Sequence, residues 1–131
     1  MLLGCKKICI LTGAGISAAS GIPTFRGNGG LWNDAKRYAG EVDPTQVLTR
    51  SFFDKNPMAV WEWHYDFIKL ARDKQVNAGH TAISKFQEFC LQAVEMDSML
   101  VTQNIDDLHN REIKASQILS QRKDPHSRLD A

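Results

Sequence analysis

A glycine turn follows a short apolar run near the start of the chain. Ile8–Thr12 is β-branched and apolar and ends at Gly13, after which the residues have the Gly-x-Gly-x-x-Ala spacing of a dinucleotide-binding turn. In such a turn, Gly13 lets the chain reverse, Gly15 lets backbone N–H groups approach a pyrophosphate, and Ala18 keeps the next helix close to the strand. The order of strand, turn and helix favours a dinucleotide site, and a plain tight turn is the alternative.

The segment after this turn reads as a loop that could cover a ligand. Pro23 and a run of glycines break regular structure there, and Phe25, Arg26 and Trp32 are its large side chains. A dehydrogenase would also need an acidic residue about 20 positions beyond the turn, at a strand end, to hold a ribose. Asp34 has that spacing but falls in the glycine-rich loop, which counts against hydride transfer.

A second polar cluster follows a second apolar run. Met99–Thr102 predicts a buried strand, and residues 103–107 (Gln-Asn-Ile-Asp-Asp) come directly after it. Ligands of open α/β sheets bind beyond the carboxyl ends of the strands, so these side chains would face the same crevice as the glycine turn. A carboxylate beside amide groups can hydrogen-bond a carboxamide or ribose hydroxyls. The alternative is an Asx-rich turn that caps the next helix.

Three of the four histidines could be considered for catalysis, and the fourth, His126, lies in the polar tail with no motif around it. His64 lies on an apolar helical stripe and is interpreted as a core or groove residue, and His80 follows a helix cap. His109 is the histidine nearest the predicted crevice, but we favour its interpretation as a helix-surface residue.

Two helices between the strands must position these clusters. Asn56 and Pro57 predict the start of one helix, and Asn77 predicts the cap of the next. Trp61 and Trp63 are expected to divide between surface and core. The predicted stripes are Val60, Trp61, His64, Phe67, Ile68 and Ala71 in the first helix, and Ala82, Ile83, Phe86, Phe89, Cys90, Ala93 and Val94 in the second.

The order of strand, helices and strand predicts the opening part of an α/β sheet, Rossmann-like and parallel. A complete doubly wound domain needs roughly 150 residues, whereas the chain has 131, so an incomplete sheet is expected. Residues 110–131 are polar and are predicted to form a separate tail after a first part that spans 1–109.

Bulk composition excludes several function classes. The net charge of +1 gives no basic field for nucleic acid, and no apolar run is long enough to span a membrane. The three cysteines, Cys5, Cys9 and Cys90, form no Cys-x-x-Cys pair, so reduced thiols in an intracellular protein are expected, with neither a disulfide framework nor a zinc site.

Together, the two clusters resemble the sirtuins, the NAD-dependent protein-lysine deacylases. The resemblance rests on Gly13–Gly27 (Gly-Ala-Gly-Ile-Ser-Ala-Ala-Ser-Gly-Ile-Pro-Thr-Phe-Arg-Gly), on Thr102–Asp106 (Thr-Gln-Asn-Ile-Asp) and on Asn77–His80 (Asn-Ala-Gly-His). It covers about Lys7 to His109. Sirtuins bind NAD on a Rossmann-like domain, cleave its nicotinamide–ribose bond and transfer the acyl group of an acyl-lysine in a protein to ADP-ribose.

The resemblance also implies roles for individual residues. Ala14 and Gly15 would lie near the phosphates, Phe25 and Arg26 on a loop over the ribose, and Asn104 beside the ribose. A buried carboxylate that grips the amide would twist nicotinamide, and Ile105 and Asp106 would hold its carboxamide. The full predicted NAD set is Gly13, Ala14, Gly15, Ile16, Ser17, Ala18, Ser20, Gly21, Thr24, Phe25, Arg26, Trp32, Gln103, Asn104, Ile105 and Asp106.

The sequence departs from the family pattern in several places. Thr24 stands where many sirtuins have Asp, a form similar to the class III branch that removes acidic acyl groups such as succinyl. That branch has a Tyr-x-x-Arg pair, whereas residues 64–67 here are His-Tyr-Asp-Phe, so an uncharged acyl group such as acetyl is equally expected. The 131 residues contain neither the catalytic His-Gly of the family nor its four zinc cysteines, so no catalytic or metal-binding residue is predicted.

These features predict part of a deacylase, a truncated form with impaired catalysis. The alternative is a non-catalytic isoform that binds NAD or associates with a full-length form. No transit peptide is recognisable, so a cytoplasmic or nuclear location is the default expectation and a mitochondrial one the alternative.

Overall fold

The computed structural model describes residues 5–26, 30, 44–93 and 96–121. Trp32 and Asp34 of the predicted loop lie outside this part of the chain, as do residues 122–131. The described elements, in chain order, are strand β1 (Lys7–Thr12), a 3₁₀ helix (Ala14–Ser20), helices α1 (Pro44–Val47), α2 (Arg50–Lys55), α3 (Pro57–Arg72) and α4 (Ala78–Gln92), strand β2 (Asp97–Thr102), helix α5 (Leu108–Ala115) and a second 3₁₀ helix (Leu119–Gln121).

The two strands form a parallel pair. Lys7 is opposite Asp97 at one end and Thr12 is opposite Thr102 at the other, so the strands stop at the same edge. Parallel neighbours need a crossover connection, which the intervening helices supply. The prediction of an α/β, Rossmann-like and partial sheet is confirmed, as are the positions of both predicted strands. The expectation that the strands are buried is wrong, because one face of the pair, with Leu11, Met99 and Val101, is left exposed by the described residues.

Helix α3 begins where the sequence predicts, because Pro57 occupies its first turn, where the missing N–H costs nothing. Its buried face differs from the predicted stripe. Trp61 and Ile68 are 63% and 53% exposed, and Trp63 takes the central core position, since the helix turns the residues 60, 63, 67 and 71 inward. The core cluster consists of Ile22, Val47, Val60, Trp63, Phe67, Ala71 and Leu108.

Helix α4 starts with a capping box at Asn77, as predicted. The Asn77 carboxamide accepts the Gly79 N–H at 2.8 Å, and the ring of His80 accepts the Asn77 N–H at 3.3 Å. The predicted apolar stripe is wrong at Ala82 and Phe89, which are exposed, and its last member, Val94, lies outside the described residues. The face that packs against β2 and α5 instead buries polar side chains with Cys90, namely His80, Ser84 and Gln87.

Helix α5 crosses the boundary predicted after residue 109. Leu108, at its start, is fully buried, and Leu119 in the second 3₁₀ helix is 5% exposed. Ser116 Oγ donates to Glu88 of α4, which ties the end of α5 to its neighbour. The division of the chain at 109 stays a prediction. Among the described residues, no helix has both the length and the apolar character that a membrane span requires.

Candidate functional site

The glycine turn is a seven-residue 3₁₀ helix that directly follows β1. Gly21 ends it in the left-handed region, at φ 79° and ψ 23°, and donates its N–H to Ala18 O at 2.9 Å. Glycine is required there by backbone conformation. Gly13, by contrast, has φ −140° and ψ −171°, an extended conformation open to any residue, so the reversal does not depend on it.

Of the roles expected for Gly15 and Ala18 in this turn, the structure agrees with the first and contradicts the second. A Cβ at Gly15 would meet no atom within 4 Å, so the backbone there is open to approach by a large group. Ala18 is exposed, so it does not serve to keep a helix against the strand. Residues 16 and 20 are half-buried and face α4 instead, since Asn77 Nδ2 donates to Ile16 O at 2.8 Å and to Ser20 Oγ at 2.9 Å.

The two motifs meet through a buried hydroxyl. Ser17 is fully buried, and its Oγ donates to Asp106 Oδ2 at 2.6 Å, joining residues 89 positions apart. The other carboxylate oxygen of Asp106 accepts the Leu108 N–H at 3.0 Å. Asp106 is itself 6% exposed, so this charge is held inside the protein by two hydrogen bonds.

Asn104 makes the second link between the motifs. Its Nδ2 donates to Gly13 O at 3.1 Å and to Ser17 Oγ at 3.2 Å. The Ser17 hydroxyl therefore accepts from Asn104 and donates to Asp106, so its donor and acceptor roles are both fixed. The backbone between the strand ends is held as well, because Gln103 N–H donates to Thr12 O at 3.0 Å.

A cavity of about 190 Å³ opens beside this junction. Both motifs contribute to its wall, together with aromatic residues of α3. Trp63 stacks on Phe67, with ring centroids 5.7 Å apart, and on Phe25 at 6.3 Å. The lining residues are Ala14, Ile22, Pro23, Phe25, Leu48, Trp63, His64, Phe67, Gln103, Asn104 and Ile105.

Two polar groups of α3 lie in or near this wall. His64 Nδ1 is 2.7 Å from Val60 O, so its other ring nitrogen is left for another partner. Trp63 is 4% exposed, and within the described part of the chain its indole N–H has no acceptor. The interpretation of His64 as a groove residue agrees with this position.

Of the other predicted site residues, Thr24 and Arg26 are not among the residues that line the cavity, whereas Ile105 is. Thr24 Oγ1 donates to Arg26 O at 2.6 Å, and Arg26 is exposed. Ile105 is half exposed. Trp32 lies outside the described residues.

A pair of buried histidines underlies the junction. The rings of His80 and His109 meet edge to face, with centroids 4.7 Å apart, and His109 Nε2 lies 3.0 Å from Thr12 Oγ1. Burial lowers the pKa of His80, against the nearby charges of Asp106 and Glu112. Burial and then the neighbouring His80 lower the pKa of His109. The interpretation of His109 as a surface residue is therefore wrong, because α5 turns it inward toward β1.

Sequence reasoning missed two residues of this region. Asn77 was expected only to cap α4, and its contacts with the 3₁₀ helix could not be inferred from a local pattern. Arg111 was assigned to the polar tail, but its guanidinium is half-buried and donates to four backbone carbonyls. Three of these carbonyls lie about 40 residues away, at the end of α3 and just after it, so no local spacing marked them. Among the described residues, no group of three His, Cys, Asp or Glu side chains is placed to hold a metal ion.

The fold and this junction define a class of protein, a partial Rossmann-like α/β domain with its site at the carboxyl ends of parallel strands. The chain belongs to the Sir2 family, whose model matches residues 13–118.

Known relatives agree with this assignment. The chain is 45% identical over 106 residues to the NAD-dependent protein deacylase of Aquifex aeolicus, a match that covers 80% of this chain and 39% of that protein. It is 40% identical to the mitochondrial NAD-dependent protein deacylase sirtuin-5 of Canis lupus familiaris, covering 81% of this chain and 32% of that protein. The chain thus spans less than two fifths of the length of these relatives.

A solved structure of a Sir2 homolog supports the family assignment as well. The crystal structure of a Sir2 homolog–NAD complex superposes with a TM-score of 0.59 at 37% identity, over 81% of this chain and 36% of the other.

Proposed function

We propose that this chain binds NAD where its two motifs meet, as the NAD-binding part of an NAD-dependent protein-lysine deacylase. The observation that carries the proposal is the Ser17–Asp106 hydrogen bond of 2.6 Å, which joins the glycine turn to the second strand end beside a shared cavity. The names of the relatives and the NAD complex of the solved homolog support the choice of ligand.

The residues present fit NAD in two respects. The backbone at Gly15 is open, so a diphosphate can approach it without meeting a side chain. The cavity of about 190 Å³ is smaller than the roughly 300–1,000 Å³ of sites that enclose a drug-sized ligand. It would therefore take one ring of the dinucleotide, while the remainder extends over the exposed turn.

Each end of the ligand has candidate partners. Ala14 and Gly15 would lie by the phosphates, and Phe25 and Arg26 over the ribose. Asn104 has its Nδ2 engaged, so its carbonyl oxygen is the group that would accept from a ribose hydroxyl. Ile105, which lines the cavity, and the buried Asp106, which lines the neighbouring cavity, would hold the carboxamide. A carboxylate oxygen accepts more than one hydrogen bond, so Asp106 can keep Ser17 and Leu108 and still accept from an amide.

Bound NAD would supply the nicotinamide–ribose bond that is cleaved and the ADP-ribose that accepts the acyl group. The chain's own contribution would be to orient NAD and to keep water from the reacting sugar. No His-Gly occurs in the 131 residues, so the chain alone would lack the general base of the family and would transfer acyl groups poorly. Zinc, expected in the full-length family, has no cysteine cluster here.

The acyl group is proposed to be uncharged. His64 and Phe67 line the cavity, beside which the acyl group would have to meet the bound NAD, and neither Lys nor Arg is among the lining residues that the structure describes. An acyl carboxylate would therefore lose its hydrating water without gaining a cation as a partner.

The substrate would be an acyl-lysine in a protein. Nucleic acid and membranes are not proposed as partners, and the mitochondrial relatives favour a mitochondrial location over the cytoplasmic or nuclear default.

Calorimetric titration of the chain with NAD tests the proposal. We expect saturable binding to the wild type, and a loss of about tenfold or more in affinity for Asp106→Asn, because a charged acceptor is removed. Asp54→Asn, at an exposed site of α2, is the matched control and should leave affinity unchanged. An absence of binding by the folded wild type would contradict the proposal.

Mass spectrometry of acetyl- and succinyl-lysine peptides tests the claim about turnover. We expect at most trace NAD-dependent deacylation by the chain alone. Robust turnover would contradict impaired catalysis, and a preference for the succinyl peptide would contradict an uncharged acyl group.

We also propose a second candidate function, association with a full-length form. One face of the β1–β2 sheet is apolar and exposed among the described residues, with Leu11 67% and Met99 57% exposed. Such a face favours burial against a partner. Size-exclusion chromatography with light scattering, run on a mixture with a full-length Sir2-family deacylase, should show a complex of the two proteins. Leu11→Glu should abolish this complex. Separate elution of the two wild-type proteins would contradict the association.

A further inference from the structure

The guanidinium of Arg111 joins two parts of the chain that are far apart in sequence. One nitrogen donates to Lys74 O at 2.8 Å and Arg72 O at 3.2 Å, and the other donates to Ala71 O and Asp106 O, both at 3.2 Å. The first three acceptors belong to the end of α3 and the residues just after it. The fourth is the backbone of the residue whose carboxylate links the two motifs.

This arrangement is one that only arginine can make. The last carbonyls of a helix have no partner within the helix, and they carry the negative end of its dipole. A planar guanidinium presents several N–H donors in a fixed fork, so it can bind several carbonyls at once, whereas a lysine ammonium is a single point of donation. The positive charge of Arg111 therefore holds the end of α3 and Asp106 O in one geometry.

The backbone beside Asp106 needs such a restraint. Asp107 has φ 63°, the one left-handed non-glycine residue in the described part of the chain. A residue in this conformation costs on the order of 1 kcal/mol and persists only where its surroundings hold it. A shift of this backbone would move the Asp106 carboxylate away from Ser17 and from the Leu108 N–H.

Arg111 does not reach the cavity at the junction of the motifs. It lies instead beside another cavity, of about 300 Å³, whose wall also includes Ile105 and Asp106. Ile105 lines both cavities, whereas Asp106 lines only this second one. Any effect of Arg111 on a ligand in the first cavity must therefore pass through residues 105 and 106.

We propose that Arg111 is a positioning residue for Asp106, anchoring its backbone to the end of α3 so that its carboxylate keeps its hydrogen bond to Ser17 at the junction of the two motifs. This inference rests on the proposed function, because the consequence for ligand binding requires that NAD binds at the junction.

A double-mutant cycle on the 131-residue chain tests this positioning. Calorimetric titration with NAD is carried out on the wild type, Arg111→Gln, Asp106→Asn and the double variant. With Asp106 present, we expect Arg111→Gln to weaken NAD binding about tenfold. In the Asp106→Asn background, we expect Arg111→Gln to weaken NAD binding by less than about twofold. Arg111→Lys should recover only part of the affinity. Arg50→Gln, at an exposed site of α2, is the matched control and should stay within about twofold of the wild type.

A merely structural arginine gives a different result. It would lower the stability of the chain while changing NAD affinity by the same factor in both backgrounds, and that result would overturn the proposal. Unchanged affinity in Arg111→Gln would overturn it as well.

Amide hydrogen exchange supplies a second readout that does not need NAD. The Leu108 N–H, which Asp106 Oδ1 accepts, should exchange about tenfold faster in Arg111→Lys than in the wild type. The Ala93 N–H at the end of α4 should be unaffected. Equal exchange of Leu108 in the two proteins would overturn the positioning role. If the wild type fails to bind NAD while Leu108 responds as expected, the proposed function fails and the anchoring stands.

Discussion

The junction of the two motifs and the core beneath α3 are held together by different forces. At the junction, Ser17, Asn104 and Asp106 are buried polar groups whose hydrogen bonds have fixed directions. In the core, Trp63 and Phe67 stack as apolar surfaces and join five aliphatic residues. Apolar burial is proportional to area and tolerates small shifts, whereas a buried hydrogen bond is lost with a small displacement. The core should therefore determine whether the chain folds, and the junction what the folded chain can bind.

The largest expected effect is in the core. Trp63→Ala removes a buried aromatic side chain and should lower the free energy of unfolding by about 3–5 kcal/mol, measured by urea unfolding. Trp61→Ala, at a site 63% exposed, is the matched control and should cost less than about 1 kcal/mol. Equal losses for the two variants would show that α3 is not turned as described.

A smaller loss of stability is expected at the junction. Ser17→Ala leaves Asp106 Oδ2 and Asn104 Nδ2 without their shared partner and should cost about 1–3 kcal/mol. The same variant should lose most NAD binding while it remains folded. Ser51→Ala, at an exposed site of α2, should be within about 0.5 kcal/mol of the wild type. If Ser17→Ala loses stability yet keeps its NAD affinity, the claim that the junction determines binding is contradicted.

The smallest effect is on the dependence of stability on pH. His80 and His109 have pKa values in the folded chain that burial holds below the ordinary 6.5. Below about pH 6.5 the unfolded chain therefore binds protons that the folded chain does not, and stability falls as the pH is lowered. Urea unfolding between pH 7.5 and 5.5 should show this decline, and the double variant His80→Gln, His109→Gln should reduce its slope. A decline of equal slope in the variant would assign it to other groups.

Much of the framework could be predicted from local patterns. The apolar runs at 8–12 and 99–102 predicted both strands, and Asn56-Pro57 and Asn77 predicted the starts of α3 and α4, because apolar runs and helix starts are properties of neighbouring residues. The α/β class followed from their order. The convergence of the two motifs followed from the rule that parallel strands end at one edge.

The errors share a physical cause. The faces of α3 and α4 were predicted from hydrophobicity, but their burial depends on what packs against them, which placed Trp63 and His80 inside and Phe89 outside. His109 was assigned to a helix surface and Arg111 to the polar tail, because their partners lie about 100 and 40 residues away. Partners so distant leave no mark in a local pattern. Trp32 and the NAD roles of the individual site residues stay predictions.

Titration of the isotope-labelled chain with NAD, followed by nuclear magnetic resonance, tests the central claim most directly. The claim is that the two motifs form one NAD site. The backbone signal of Gly15 and the side-chain amide signals of Asn104 should shift together and saturate at the same NAD concentration. A shift of only one of them, or saturation at different concentrations, would contradict a single shared site.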